Sequence, residues 1–139
     1  MLGIETALRD RLATLSEVRG VYGLPDVRAD ISGKPLPGVF VIFNGYKVRE
    51  SAQRGKAARV ACRWSVLVVV KSSAQIRDGQ STRGDAEPVV AAVLGCLMGW
   101  QAAPEYTALE LIDAPAPRYD AGLLVLPLAF ETEYVVKAD

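Results

Sequence analysis

The sequence predicts an α+β protein in which a mostly antiparallel β-sheet of about four to six strands carries two helices packed on it. Apolar residues recur at helical spacing in two segments and alternate, or run continuously, in several others. The segments follow one another as helix, strands, helix, strands, and short connections between successive strands favour antiparallel hairpins. One hairpin is expected to be long and to end in a projecting basic tip.

Residues 59–71, RVACRWSVLVVVK, form the strongest predicted strand. One phase is apolar throughout, whereas the other begins with Arg63 and Ser65 and becomes apolar at Leu67 and Val69. This pattern is typical of a central strand whose start has one face in water and whose end is covered on both faces. A strand of this length needs long neighbours, since strands usually have about 5–6 residues.

The N-terminal third of the chain predicts one helix and two strands. Residues 4–15 carry apolar side chains at helical spacing and are expected to form an amphipathic helix. Residues 18–22 are expected to form a short strand, and the Pro-rich residues 23–38 to be irregular. Residues 39–46 are the second clear strand.

The most polar part of the chain follows that second strand. Asn44-Gly45 either makes a tight turn or bends the strand, which then continues through Val48. Residues 46–59 are interpreted as the long tip of a hairpin that leads into the strand at 59–71. This tip is either a solvated loop or an arm that reaches a partner. Against Glu50 alone, it carries five cations: Lys47, Arg49, Arg54, Lys56 and Arg59.

A second helix is expected at residues 85–100, with an N-cap at its first residue. The polar residues 72–84 before it are expected to form a loop. One face of the helix is apolar, and the opposite side is small, with Ala91, Gly95 and Gly99 recurring every four residues. A helix without a polar face is buried all round, so the small side is expected against the first helix or another subunit.

The C-terminal part predicts two more strands, at residues 109–114 and 123–136. Pro127 has no N–H to donate, so it should mark a bulge or a locally unpaired side. The last strand ends with Glu131 and Glu133 on one face, so that face should be wet at its far end.

Composition narrows the function classes. The 139 residues include 16 basic and 16 acidic side chains, a balance that argues against a dedicated nucleic-acid binder. There is no histidine, which removes the commonest general base and the commonest metal ligand. Cys62 and Cys96 stand singly in apolar segments, so no zinc or redox motif is present. No export signal and no membrane-spanning run is found, and a reducing cytosol is the expected compartment.

Candidate catalytic groups are few. No GxSxG, GxGxxG or Walker A pattern occurs. Asp113, Asp120, Glu131 and Glu133 could in principle do acid–base work or bind a metal, but no histidine or other ligand supports them. Two glutamates on one strand face are more typical of a solvated face or a contact with a basic partner. We therefore expect no catalytic, cofactor-binding or metal-binding residue and no enzymatic activity.

The C-terminal run IDAPAPRYDAGLLVLPLAFETEYVV resembles the tail terminator proteins of Mu-like phages and prophages. The preceding layout also matches: an N-terminal helix, a Pro-rich stretch, a strand ending in a glycine turn, RWSVLVVVKS, and an apolar helix ending in Gly-Trp. Leu126 departs from the pattern, because an aromatic residue often precedes the proline. The matching residues are Ala114, Pro115, Pro117, Tyr119, Asp120, Gly122, Pro127, Leu128, Phe130, Glu131 and Thr132.

This resemblance implies a single tail-terminator-like domain over residues 1–139. Such a subunit forms a ring with copies of itself, commonly a hexamer, on the head-proximal end of the tail tube. The ring stops tube polymerisation and joins the head or neck completion protein, while DNA passes through its lumen without being read. The resemblance implies no catalysis, no cofactor and no membrane, and a location in the host cytoplasm during assembly and then in the virion tail.

The basic arm and the two glutamates suggest how subunits meet. Our hypothesis is that Lys47, Arg49, Arg54, Lys56 and Arg59 contact an acidic surface such as Glu131 and Glu133 on a neighbour or on the tube. The arm could instead line the DNA lumen. Alternative functions are another phage neck or tube-like protein and, more distantly, a small cytosolic enzyme or ligand-binding domain.

Overall fold

The computed structural model describes residues 2–23, 34–71, 80–120 and 122–139. The sequence expectations for residues 24–33 and 72–79 lie outside this part of the chain. In chain order, the elements are α1 (Ile4–Leu12), β1 (Gly20–Tyr22), β2 (Gly38–Ala52), β3 (Ala57–Lys71), α2 (Gln80–Leu97), β4 (Glu110–Ile112), β5 (Arg118–Asp120) and β6 (Leu123–Lys137).

The described strands form one six-stranded sheet in the order β1-β2-β3-β6-β4, and β5 also pairs with β6. β1 runs parallel to β2, and every other pair is antiparallel. The three long strands, of 15 residues each, lie side by side in the middle. The predicted α+β class with a mostly antiparallel sheet and two helices is confirmed.

β3 is the central strand that its sequence pattern predicts. It pairs with β2 on one side and with β6 along its whole length on the other. Its apolar phase faces α1 and α2, and together they form the main core. The core includes Trp64, Val66 and Val68 from β3, Ile4, Leu8 and Leu12 from α1, and Val89, Val93 and Leu97 from α2.

The other face of the sheet is buried near the end of β3 and exposed toward its start. Near the end of the strand, Val69 packs with Phe40, Leu123 and Val125 in a second buried cluster. Toward the start, Arg63 is exposed instead. The expectation of a wet start and an end covered on both faces is therefore confirmed.

β2 bends at Asn44-Gly45 and continues to Ala52, so the bend is confirmed and the tight turn is wrong. Gly45 has a φ of 91°, which glycine adopts without strain, and the register shifts between Phe43 and Tyr46. A second shift lies between Val48 and Glu50. These bulges let the strand keep pairing with β3, so the polar segment is mostly strand, not loop.

α2 begins at Gln80, five residues before the predicted start, and Pro88 lies inside the helix. The predicted start at residue 85 places Pro88 in the first turn, where proline is favoured. Extending an existing helix by a turn adds about one hydrogen bond per residue fixed, so upstream polar residues can join a helix anchored in the core. The helix ends at Leu97, and Gly99 follows with a φ of 77°.

The expectation that α2 is buried all round is wrong for the single chain. Ala91, Gly95 and Gly99 are exposed, and a Cβ added at Gly95 would meet no atom within 4 Å. α1 meets α2 beside this face, where the Arg11 Nε–H donates to the Cys96 carbonyl at 2.9 Å. α1 has only nine residues, which is too short to cover a second side of the longer helix.

Pro127 lies between the stretches of β6 that pair with β4 and β5. The register with β3 passes through Pro127 without a shift. Of the two alternatives, the locally unpaired side is therefore confirmed among the described strands, and the bulge is not.

Candidate functional site

The candidate site is the arm, which we define as residues 46–61 of the β2–β3 hairpin with residues 131–137 of β6. Pairing continues almost to the tip, from Tyr46 opposite Cys62 to Ala52 opposite Ala57. β6 follows it to the pair Ala57 and Lys137, and the Ala138 N–H donates to the Lys56 carbonyl at 2.7 Å. The arm is therefore three strands wide, which makes it stiffer than a two-stranded hairpin.

The tip itself is a single 3-10 turn, Gln53–Gly55. Gln53 and Arg54 have positive φ values of 55° and 57°, and Gly55 has one of 85°. The left-handed backbone is what reverses the chain within so few residues, and Gly55 adopts it without a steric cost.

Glu131 lies at the centre of a charge cluster on the arm, and 9% of its side chain is exposed. Its carboxylate accepts hydrogen bonds from Arg49 of β2 at 2.7 Å and from Arg63 of β3 at 3.1 Å. Since Glu131 belongs to β6, one side chain joins all three long strands. Charge-assisted hydrogen bonds of this kind are about twice as strong as neutral ones.

Glu133 extends the cluster toward the tip. Its carboxylate lies 3.6 Å from Arg49 Nε and 3.6 Å from Arg59 Nε. Arg59 in turn lies 3.5 Å from Glu50. These six side chains form the clamp: Arg49, Glu50, Arg59, Arg63, Glu131 and Glu133.

The clamp shifts the pKa values of Glu131 and Arg49. Burial by itself would raise the pKa of Glu131, but the hydrogen bonds and positive charges of Arg49 and Arg63 outweigh it and hold that pKa below its usual range. The hydrogen bond to Glu131 raises the pKa of Arg49. Glu131 is therefore ionised at neutral pH, which makes it a poor candidate for a general acid.

The structure brings together four of the seven residues predicted for the interface, and it does so within one chain. Arg49 and Arg59 pair with Glu131 and Glu133. The arm of a neighbour could reach these glutamates only by displacing the arginines already there. Arg63 was missed, although its place on the polar phase of β3, directly opposite Glu131 in the register, could have indicated it.

The other three predicted residues remain available to a partner. Lys47, Arg54 and Lys56 are exposed and form no ion pair with any side chain in the described ranges. Arg54 and Lys56 lie at the tip, whereas Lys47 lies near the base of the arm, opposite Ala61. The clamp therefore divides the basic segment into arginines that hold the arm rigid and cations that face outward.

The arm also exposes apolar side chains. Tyr46 and Val48 are 57% and 51% exposed, and Val136 is 39% exposed. The register places all three on the face of the sheet that also carries the helices, beyond the part that the helices cover. We call these three residues the apolar patch. A rigid arm with an apolar patch and free cations at its tip is typical of a protein contact surface.

The arm is anchored to the loop after α2. The Thr132 hydroxyl donates to the Thr107 carbonyl at 2.6 Å, and Thr132 is 1% exposed. The rings of Tyr106 and Tyr134 pack with centroids 4.7 Å apart. Burial raises the pKa of both tyrosines. These contacts fix the base of the arm against the body of the protein.

Other chemistry is sparse in the described part of the chain. No group of three or more His, Cys, Asp or Glu side chains there could hold a metal ion. Burial raises the pKa of the Cys62 and Cys96 thiols, which disfavours the reactive thiolate. A hollow of about 280 Å³ at the arm is lined mainly by alanine, with the paired Glu50 and Arg59 at its rim. Among the described helices, none is long and apolar enough to cross a membrane.

Fold and arm together define an α+β protein with a projecting arm three strands wide. The particular family follows from comparison with known proteins. The chain belongs to the phage tail terminator protein family, whose model matches residues 3–139. It is a structural tail terminator and a component of a virion tail that assembles with other virion proteins.

A solved structure has a similar fold. It is a chain of the virion of a native gene transfer agent particle, with a TM-score of 0.62 and 16% sequence identity. The similarity covers 94% of this chain and 92% of that chain. No curated protein matches the sequence. The resemblance to Mu-like phages in particular stays a prediction.

Proposed function

We propose that this tail terminator forms a homo-oligomeric ring, a hexamer by its resemblance, on the head-proximal end of the tail tube. The ring halts tube polymerisation and provides the joint to the head or neck completion protein. Its role is structural, without catalysis or a cofactor. DNA passes through the lumen and is not read. Assembly takes place in the host cytoplasm, and the finished ring stays in the virion tail.

One observation supports this proposal independently of the family match. The clamp stiffens the arm, and the cations at its tip, Arg54 and Lys56, form no ion pair within the described chain. Ring contacts between copies are heterologous, since one face of a subunit must meet a different face of the next. A projecting arm supplies such a face. Because Arg49 and Arg59 are engaged in the clamp, the contact with a neighbour or the tube falls to Lys47, Arg54 and Lys56.

The test is whether the tip cations are needed for capping. The double variant Arg54→Glu, Lys56→Glu reverses two charges at the tip and leaves the clamp intact. Its matched control is Arg19→Glu, Lys71→Glu, which makes the same change of charge at exposed positions outside the arm. Tail tubes from the particle that carries this protein are incubated with each protein, and electron microscopy counts capped ends and tube lengths.

Wild-type protein and the control should cap one end of each tube and stop growth. The tip variant should fold normally, as judged by circular dichroism, and leave most ends open. Normal capping by the tip variant would refute the role of the tip. If that variant assembles normally but particles carrying it fail to deliver DNA, the arm lines the lumen instead. Failure of the wild-type protein to bind tubes would contradict the proposed function itself.

A further inference from the structure

Charge is segregated along this neutral chain beyond the basic arm. From residue 85 to residue 117 there is no lysine, arginine or histidine, and the acids are Asp85, Glu87, Glu105, Glu110 and Asp113. All five are exposed. None of them forms an ion pair with a described side chain. Within the described residues, this segment therefore carries unpaired acids, as the tip of the arm carries unpaired cations.

The strand order places the cations of the arm and the acids near β4 on opposite edges of the sheet. The cations lie on and beyond β2, and Glu110 and Asp113 lie in and just after β4. With β3 and β6 between them, the two strands are three spacings apart, or about 14 Å at about 4.8 Å per spacing. A rigid three-stranded arm cannot fold across that distance to pair with its own β4 edge.

The acidic edge also carries exposed apolar side chains. Leu111 of β4 is 44% exposed, and Met98 at the end of α2 is 52% exposed. The Gly99 N–H donates to the Leu109 carbonyl at 2.9 Å, so the end of α2 lies beside the start of β4. We call Met98, Glu105, Glu110, Leu111 and Asp113 the acidic surface. It offers apolar contacts flanked by carboxylates, as the arm offers the apolar patch flanked by cations.

We infer that the occupant of the acidic surface is the arm of a second copy of this chain. The inference rests on the proposed ring and names the two faces that meet in it. The apolar patch packs against Leu111 and Met98 of the neighbour, and the tip cations pair with the neighbour's Glu105, Glu110 and Asp113. Each chain then uses its β2 side on one neighbour and its β4 side on the other. That arrangement is heterologous and runs head to tail, which is the kind of contact from which a ring is built.

A charge-swap experiment tests this pairing. The first variant is Arg54→Glu, Lys56→Glu, the second is Glu110→Lys, Asp113→Lys, and the third combines all four changes. A control variant, Asp10→Lys, Glu17→Lys, makes the second variant's charge change at exposed acids near α1. Analytical ultracentrifugation over a concentration series, repeated with tail tubes from the same particle, gives the association constant for each protein.

Each two-site variant should associate about tenfold or more weakly than wild type, and the four-site variant should recover to within about threefold. The control should match wild type. If wild type forms rings and the two-site variants form them equally well, or the combined variant shows no recovery, the pairing is wrong although the ring stands. If wild type forms no ring alone or on tubes, the ring and the pairing both fall.

Discussion

The clamp predicts that Glu131→Gln destabilises the folded chain even though it removes no apolar contact. Glutamine has nearly the same shape as glutamate and keeps one acceptor oxygen, so the change isolates the carboxylate charge. Arg49 and Arg63 would both lose a charged acceptor, at 2.7 and 3.1 Å. The three long strands would then be joined by a neutral side chain instead of a carboxylate.

The size of the effect follows from burial. A hydrogen bond to a charged group contributes about 1.5–3 kcal/mol. Arg49 and Arg63, however, are 33% and 45% exposed, so water replaces part of what they lose. We therefore expect a loss of about 2 kcal/mol for the two bonds together, which lowers Tm by roughly 6 °C in a domain of this size.

The assay is thermal and urea unfolding of wild type, Glu131→Gln and the control Glu5→Gln. Glu5 forms an exposed pair with Arg9 at 3.9 Å, so its loss should cost less than about 0.5 kcal/mol. Equal unfolding midpoints for the two variants at pH 7 would refute the argument that the clamp stabilises the arm.

The pKa of Glu131 predicts how the stability difference between wild type and Glu131→Gln depends on pH. Its folded pKa lies below the ordinary value of 4.5. A carboxylate with a depressed pKa stabilises the fold fully above that ordinary value and loses its contribution as pH falls through the folded pKa. The stability difference between wild type and Glu131→Gln should therefore be constant near neutral pH and shrink in acid. A difference that grows as pH falls would contradict the sign of this linkage.

Further predictions concern single positions, each measured by thermal unfolding. Gly95→Ala should stabilise the chain by about 0.5–1 kcal/mol, because a Cβ there meets nothing within 4 Å, whereas Gly45→Ala should cost about 1 kcal/mol because its φ is 91°. Effects of the same sign at both glycines would contradict this. Thr132→Val should cost about 1–2 kcal/mol, because it leaves the Thr107 carbonyl without its 2.6 Å hydrogen bond. An unchanged Tm would mean that this bond does not anchor the arm.

Much of the fold could be predicted because the sequence pattern of β3 indicates which parts of its two faces are exposed and which are buried. Its alternation reports which face is wet, and its apolar end reports coverage on both sides. The start of α2 could not be predicted, because residues such as Gln80 join a helix only once the downstream turns are anchored in the core. That the small face of α2 is exposed in the single chain could not be predicted, since small residues look the same whether they meet another helix, another subunit or solvent.

The sequence predicted which charged residues belong to the candidate site, but not which of them pair with one another. The excess of cations at residues 46–59 was visible in the sequence, and so were Glu131 and Glu133. That Arg49 and Arg59 would pair with those glutamates depends on the register between β2, β3 and β6. The register in turn depends on two bulges, and a one-residue slip would send each side chain to the other face.

The bulges in β2 have a consequence for the protein's own solubility. β1 pairs only with Gly38–Phe40, so from residue 41 to residue 52 the outer edge of β2 meets no described strand. A long, flat open edge recruits further strands and seeds aggregation. The kinks at Gly45 and Arg49, with Lys47 between them, make this edge a poor template for edge-to-edge growth. A tail terminator so built can present a stiff open strand at high local concentration without itself becoming a fibre.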